Sequence, residues 1–373
     1  MRTSSLRWLW LYRPPAPTVR AQSIQVLNMV HAMARRGHSV TVAVDPPRDV
    51  VRPTPAEVLA FYGLEAVPGL DLVVLPRKPT LASVWFRGVV ASWMLQDPER
   101  SVVYARSKRY ASELLRRFGA RVPLVMEVHE VDSAQARERG EDPVELRTLE
   151  ETVLKSACGV VANCPGTLEL LRQEHRYVPP GIAAHNATHP SRVRRPTASG
   201  QGVGYVGSVR AYKGMETLAR AAARVDVPVT LIGAKPDSAD ATRLMELSEG
   251  KLQLRPPVPH RDVPDHLARF RALILPLSTG LFGERLTSPL KLWDYLASGV
   301  PIVGADLPSL QDAAPGAFHP YKPGSSESLA EAIHAVVEDE LLRARLLAAA
   351  EVRTWDDRAQ EVEAFVMKAL DRV

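Results

Sequence analysis

Cysteine is nearly missing from this 373-residue chain: Cys158 and Cys164 are the only two. Their spacing matches neither a zinc site nor a disulfide framework, so a metal-stapled or disulfide-built scaffold is excluded. They read as small buried residues of a reducing compartment. No stretch approaches the ~18 apolar residues of a membrane span. The apolar run in the opening MRTSSLRWLWLYRPP is too short for a secretory signal. The expectation is a soluble, cytoplasmic protein, with peripheral contact at the inner membrane face left open. Lys and Arg never run together with interleaved aromatics, which excludes a nucleic-acid groove. A Gly-x-Ser-x-Gly elbow and a Gly-x4-Gly-Lys-Ser/Thr phosphate loop are both missing. No Asp-x-Asp pair sits in a suitable loop, so no essential divalent metal is expected. The Pro-rich 13–18 loop stands where a nicotinamide-dependent oxidoreductase needs a Gly-rich turn.

What is present is ordinary globular composition, 46% hydrophobic and 24% charged, long enough for two domains. The net charge of +5 and pI near 9.2 suit an anionic ligand or an anionic membrane surface. Apolar runs punctuate the chain as short strands: LRWLWLY at 6–12, HSVTVAV, DLVVLP at 71–76, SVVYAR at 101–106, PLVMEV at 123–128 and GVVANC at 159–164. Helical spacing separates them over 23–36, 55–62, 80–95, 109–118, 143–156 and 166–174. The charged segment 132–142 reads as a mobile loop. The alternation restarts after residue 201 with GVGYVGS, a helix in KGMETLARAAARV, PVTLIGA, LQLRPPV and RALILPL at 271–277. Helices follow over 326–337, 340–350 and 355–370. This βαβ order predicts an α/β fold of two Rossmann-like, doubly wound domains facing a cleft. The boundaries expected are 1–184, a linker over 185–201, 202–352, and a C-terminal helix in 353–373 that crosses back to the first domain.

Four places carry candidate chemistry. SPLKLWDYLASGVPIV, 288–303, reads as a helix with Ser288 as N-cap and Pro289 at the first helical position, closed by Gly299 and Pro301. Asp294 shares a face with the Leu290 backbone N–H. It lies roughly 9 Å along the axis from the helix start. A helix start attracts phosphate, and a carboxylate further on can hold a diol; an ordinary solvated Asp reads equally well. In YVGSVRAYKG, 205–214, a strand ends at Gly207 and Ser208 before a loop with Arg210 and Lys213. Those cations suit a diphosphate or merely a solvated loop. His129 ends the strand VMEVHE on the same side as Glu127, which would fix its tautomer or raise its pKa. The loop 276–288 offers Gly280, Gly283, Glu284, Thr287 and Ser288. LASVWFRGVVASW, 81–93, has helical spacing and reads mainly as core, with a membrane or lipid acceptor as the alternative.

Taken in order, these pieces resemble the GT-B retaining glycosyltransferases of family 4. HAMARRGHSVTVAV is similar to the first helix–strand turn, and PPGI to the close of the N-terminal domain. YVGSVRAYKGMETL is similar to the phosphate-binding segment, and VPHRDVPDHLARFRALILPL to the run past the nucleobase. SPLKLWDYLASGVPIVGADLP resembles the donor-binding helix and strand, and WDDRAQEVEAFV the terminal helix. The resemblance implies transfer of a sugar from a nucleotide-diphosphate donor to a carbohydrate, lipid-linked or small-molecule acceptor. The donor is then a substrate, with no cofactor. The resemblance also implies that Lys213 and Arg210 bind the diphosphate, that Asp294 holds the ribose, and that His129 lies beside the donor sugar. It departs at Leu286, where the family has its first glutamate, with Glu284 two residues out of register. Asp294 replaces the second glutamate. Arg20, Gln22 or Ser23 stand in for a missing Gly-rich loop. A nucleotide-sugar epimerase, or a weak homologue acting as a binding or partner subunit, remains the alternative.

Overall fold

A computed structural model of the chain describes residues 5–48, 51–96, 98–119, 121–189, 200–210, 213–235 and 237–371. The chain divides into two compact units, Met1–Ala184 with Trp355–Val373, and His185–Thr354.

The first unit alternates strand and helix. It runs β1 (Arg7–Leu11), α1 (Ala21–Arg35), β2 (Ser39–Val44), α2 (Pro55–Phe61), β3 (Leu70–Val74), α3 (Pro79–Met94) and β4 (Ser101–Ala105). It continues through α4 (Lys108–Phe118), β5 (Leu124–Val128), α5 (Asp132–Glu138), α6 (Val144–Ser156), β6 (Gly159–Ala162), α7 (Pro165–Glu174) and β7 (Gly181–Ala183). The strands pair in parallel in the order β3-β2-β1-β4-β5-β6-β7. The central strands are buried on both faces, which is why they read as unbroken apolar runs rather than alternating ones.

The second unit repeats the scheme: β8 (Val203–Val206), α8 (Met215–Ala222), β9 (Val229–Ile232), α9 (Ala239–Leu247), β10 (Leu252–Arg255), α10 (Val263–Leu267) and β11 (Ala272–Leu275). Then come α11 (Leu281–Arg285), α12 (Leu290–Ser298), β12 (Ile302–Ala305), α13 (Pro308–Ala313), β13 (His319–Tyr321), α14 (Ser326–Glu338) and α15 (Glu340–Ala348). The parallel order is β10-β9-β8-β11-β12-β13. In each sheet the order reverses beside the first strand, the switch point where such sheets open to ligands.

The last helix, α16 (Trp355–Leu370), packs on α1 of the first unit. Its Glu363 accepts from Arg36 Nε at 2.5 Å and faces His38 Nε2 at 3.2 Å. Deeper in, Arg358 is fully buried and donates to Glu127 at 2.7 Å.

Three sequence expectations need correction. Residues 132–138 form α5 rather than a mobile loop. Arg137 and Glu138 are exposed, while Ser133, Ala134 and Ala136 are buried. The buried Glu150 carboxylate of α6 accepts from the Asp132 and Ser133 backbone N–H groups at 2.7 and 3.4 Å, supplying the cap that the segment itself lacks. Part of the 276–288 loop is helical, as α11. Residues 185–189 of the expected linker belong to the second unit, where Asn186 and Thr188 are buried. Residues 190–199 of that linker lie outside the described residues.

Candidate functional site

In the second unit β8 ends at Gly207, with φ +151°, a backbone region that side-chain-bearing residues rarely adopt. Space imposes the same choice. A Cβ at Gly207 would lie 2.0 Å from Lys291 Cε. Lys291 therefore passes directly across the end of β8, with its ammonium 4.7 Å from the centre of the Tyr205 ring. Lys213 reaches in from the β8–α8 loop and donates to Ser208 Oγ at 2.7 Å. The two lysine amines are close enough to share a hydrogen bond. Burial and the adjacent Lys213 charge push the Lys291 pKa well down. Burial also lowers that of Lys213, and Arg210 adds to the effect. Arg210 itself is exposed, and its carbonyl accepts from Lys213 N at 3.0 Å. Residues 211 and 212 of this loop lie outside the described residues.

The start of α12 differs from the expected cap. The helix begins at Leu290, and Pro289 occupies the N-cap position with no side-chain cap bond. Ser288 Oγ is used elsewhere, accepting from Asn186 N at 2.9 Å and from Trp293 Nε1 at 3.4 Å. Asn186 Nδ2 also donates to the Ser288 carbonyl at 2.6 Å. Residues 185–188 thus strap across the start of α12. One turn past Lys291, Asp294 accepts from Thr188 Oγ1 at 2.7 Å and faces His260 Nε2 at 3.6 Å. It is therefore not a free surface carboxylate. The Tyr295 hydroxyl accepts from Val206 N at 2.9 Å, tying α12 to β8.

Gly207, Ser208, Lys213 and the first turn of α12 therefore meet at the carboxyl end of β8. Leu286 is 1% exposed, so the position of the family's first glutamate is a core position here. Glu284 sits in α11 and accepts from Gly280 N at 3.2 Å. Thr287 is buried. The structure gives neither Glu284 nor Thr287 a bond to the lysine pair.

In the first unit His129 lies beyond β5, with Nε2 3.3 Å from Glu127 Oε1. Burial, then the Arg106 charge, lower its pKa to about 4, so the imidazole is neutral. The expected rise from Glu127 is present and outweighed. Burial raises the Glu127 carboxyl, but Arg358, His129 and Arg106 hold it well below the usual range. Gln25 of α1 completes the cluster, donating to Glu127 at 2.8 Å and accepting from Arg106 at 2.6 Å. Of the three residues proposed at the start of α1, Arg20 is exposed and Gln22 half-buried. Ser23 is fully buried and donates to the Pro15 carbonyl at 2.7 Å, so it has no hydroxyl to offer a ligand. A hollow of about 670 Å³ lies elsewhere, between α3 and β1–β3, and none of these residues lines it.

Sequence reasoning missed Lys291, His260 and Thr188 in the second unit, and Gln25, Arg106 and Arg358 in the first. Lys291 alone had a local signal, as the cation three residues before Asp294 on the same helical face. Among the described residues no group of three or more His, Cys, Asp or Glu could hold a metal ion. No helix among them is long and apolar enough to cross a membrane.

Two family models match, a glycosyl transferase 4-like domain over residues 21–184 and glycosyl transferases group 1 over residues 200–339. No curated protein matches the sequence. Among solved structures, sucrose-phosphate synthase from Thermosynechococcus elongatus superposes with a TM-score of 0.73 at 16% identity, covering 98% of each chain. Anabaena HepE in complex with UDP and glucose gives 0.71 at 15% identity, over 97% of this chain and 100% of that one. AviGT4, a glycosyltransferase involved in avilamycin A biosynthesis, gives 0.65 at 14% identity, over 99% of each. With both units matched in order and the fold shared end to end, the chain belongs to the group 1, family 4-like glycosyltransferases of the GT-B fold, and it is a glycosyltransferase.

Proposed function

We propose that the chain transfers a sugar from a uridine diphosphate sugar to a hydroxyl of a carbohydrate, lipid-linked or small-molecule acceptor, with retained anomeric configuration. The product would be a cell-surface polysaccharide, glycolipid or small glycoconjugate. The observation that carries the reading is the Lys213–Lys291 pair against Gly207. Two half-buried lysine amines side by side, Lys213 lowering the hold of Lys291 on its proton, are an unfavourable place for two positive charges until an anion lies between them. A diphosphate supplies that anion, and the N–H groups at the start of α12 add to it. Arg210, exposed at the rim, would close over the leaving diphosphate. Asp294 would take the ribose hydroxyls, exchanging its Thr188 bond for one to the ligand. Ser288 and Pro289 would shape the start of α12 rather than touch the donor, while Glu284 and Thr287 would line the sugar side. HepE structures holding UDP and UDP-glucose support uridine as the base. The family 4 resemblance supports retention.

The chemistry asks for little acid–base work from the protein. The leaving diphosphate takes the acceptor proton on the face from which it departs. The lysines stabilise the negative charge as it develops, with no metal required. His129, held neutral, would offer a hydrogen bond rather than a charge.

A specific observation favours a second reading. With Leu286 buried where the family has a carboxylate, the chain could hold a nucleotide sugar without transferring it. One panel separates the two. Thermal unfolding is followed with UDP, GDP and a set of their sugars, and transfer and hydrolysis are read by mass spectrometry. A ligand at 100 times its Kd raises stability by about 2.7 kcal/mol. A shift with a UDP-sugar together with transferred product is the expected result. A shift with no turnover on any acceptor favours the binding subunit. No shift with any nucleotide sinks the donor site.

A further inference from the structure

We propose that the hollow between α3 and β1–β3 is a binding site for a neutral saccharide. Its floor is one face of the sheet near its β3 edge. Ser39 and Thr41 of β2, and Asp71 and Val73 of β3, lie two residues apart on their strands and share that face. Thr41 and Asp71 are partners in register, with Thr41 Oγ1 donating to Asp71 Oδ2 at 3.5 Å. The other face of the same strands, with Val40, Val42, Leu72 and Val74, is buried. The floor is therefore polar where β4 and β5 are buried throughout.

The wall is α3, which buries Ala82, Phe86 and Val90 as its spacing predicts. Trp85, 52% exposed, and Gly88 and Ser92 on the following turns line the hollow. Gly88 is the informative residue. Glycine inside a helix is less stable than alanine and calls for a cause. Gly159 of β6 has one, because a Cβ there would lie 2.8 Å from the Phe365 ring. Gly88 lies in regular helix, without a positive φ. Among the described residues a Cβ on it would meet nothing within 4 Å. No packing contact demands this glycine, and its place on the wall keeps room for a group that the folded chain does not supply.

The surrounding chemistry selects the occupant. Arg7 is committed within the wall, donating to Ser101 at 3.0 Å and Gln96 at 2.7 Å, 4.9 Å from the centre of the Trp93 ring. Asp71 is exposed in the hollow and repels an anion, which excludes phosphates and acidic sugars. An acyl chain would cover Thr41 and Asp71 without pairing them. A pyranose ring satisfies both sides. Its hydroxyls donate to the Asp71 carboxylate and exchange bonds with Thr41 and Ser92. Its C–H face lies on Trp85, a ring that Arg52 also covers, at 5.7 Å, without lining the hollow. The stretch from Trp85 to Gln96 spans roughly 16 Å of helix, which suits a short oligosaccharide rather than one ring. Arg7 and Ser39 open β1 and β2, so the hollow runs to the amino edge of the sheet, while Arg106 and His129 stand at its carboxyl edge. Binding there does not depend on the proposed transfer. Its consequence does rest on that reading: a carbohydrate acceptor would be held by a part remote from its reacting end.

The test is titration of the full chain with neutral trisaccharides of glucose, mannose, galactose and N-acetylglucosamine, read by saturation-transfer NMR and tryptophan emission. Trigalacturonate and dodecylphosphocholine serve as the acidic and the acyl probes. At least one neutral trisaccharide should bind. Trp85→Ala and Asp71→Asn should each weaken it on the order of tenfold. Gly88→Leu should block it and unfold no earlier than wild type, because its side chain enters open space on a helix. Lys213→Ala should bind the trisaccharide as before and lose the nucleotide-induced thermal shift. The three hollow variants should keep that shift, so that failure of the hollow and failure of the donor site are told apart. The proposal is overturned by no binding of any neutral trisaccharide, by binding that Gly88→Leu leaves intact, by tighter binding of trigalacturonate or dodecylphosphocholine, or by a concentration-dependent dimer that Gly88→Leu abolishes.

Discussion

At the scale of single residues, Lys291 carries the sharpest consequence. Desolvating the Lys291 amine beside that of Lys213 disfavours its charge and costs stability, and the opposing charge of Asp294 already serves Thr188 and His260. Removing Lys291 should therefore act in opposite directions on fold and function. Lys291→Met is expected to raise the unfolding temperature of the ligand-free chain. It should also weaken UDP binding and lower kcat/KM on the order of a hundredfold, about 3 kcal/mol of barrier. Lys213→Ala should lose rate similarly. Gly207→Ala should copy the loss with both lysines unsubstituted, because its methyl occupies the space of Lys291 Cε and displaces that side chain. A Lys291→Met enzyme with unchanged kcat/KM would remove the lysine pair from the site. The sequence carried half of this pair. Lys213 stood out beside a glycine-ended strand. Lys291 sat in a stretch whose signal was Asp294, and nothing local shows that its amine turns inward onto β8.

At the scale of elements, strands were legible and caps were not. A strand buried on both faces announces itself by composition. A helix start depends on whatever polar group is brought to it from elsewhere in the chain. α5 is capped by Glu150, 18 residues on from Asp132, so its own charged sequence looked like a loop. α12 shows the converse. Ser288 and Pro289 make a good local cap signal, yet the hydroxyl answers the buried Asn186 N–H, 102 residues away. The two roles make different demands on substitution. At a solvated cap Asp serves as well as Ser. In the strap the site is 4% exposed and sized for a hydroxyl. Ser288→Ala should cost about 1–3 kcal/mol by leaving the Asn186 N–H unmatched, and Ser288→Asp should fail to restore it. Denaturant unfolding and amide exchange of residues 186–188 read both. Wild-type stability in Ser288→Asp would return Ser288 to the cap.

At the scale of the whole molecule, the strongest pKa shifts among the carboxylates are collected in one unit. In the first unit burial raises Glu150, but the His175 and Lys108 contacts bring its pKa to about 2 from an ordinary 4.5. Glu127 is held well below the usual range, and His129 falls to about 4 from 6.5. In each case the unfolded chain binds the proton more tightly than the folded one, so acid drains stability. The His129 contribution is lost between pH 6.5 and about 4. That of Glu150 is lost from about 4.5 down to about 2, and that of Glu127 lower still. Protonating Glu127 also strips the counter-charge from the fully buried Arg358. Breaking such a pair costs on the order of 3–5 kcal/mol. Because Arg358 belongs to α16, that loss loosens the helix that returns to the first unit. In the second unit the lowered carboxylates Glu216 and Glu327 pair with Arg243 and Arg224 at the surface, where solvent screens them. Acid should therefore unfold the chain in two steps. Loss of the His129 contribution should thin the protection of β5 as pH falls from 6.5 to about 4, and amides of β4, β5 and α16 should lose exchange protection first below about pH 4.5, while β8, β11 and β12 stay protected. Arg358→Met should move the first step toward neutral pH and leave the second in place. Simultaneous loss in both units, or loss in β8 before β5, would mean that the Glu127–Arg358 cluster does not set the acid limit.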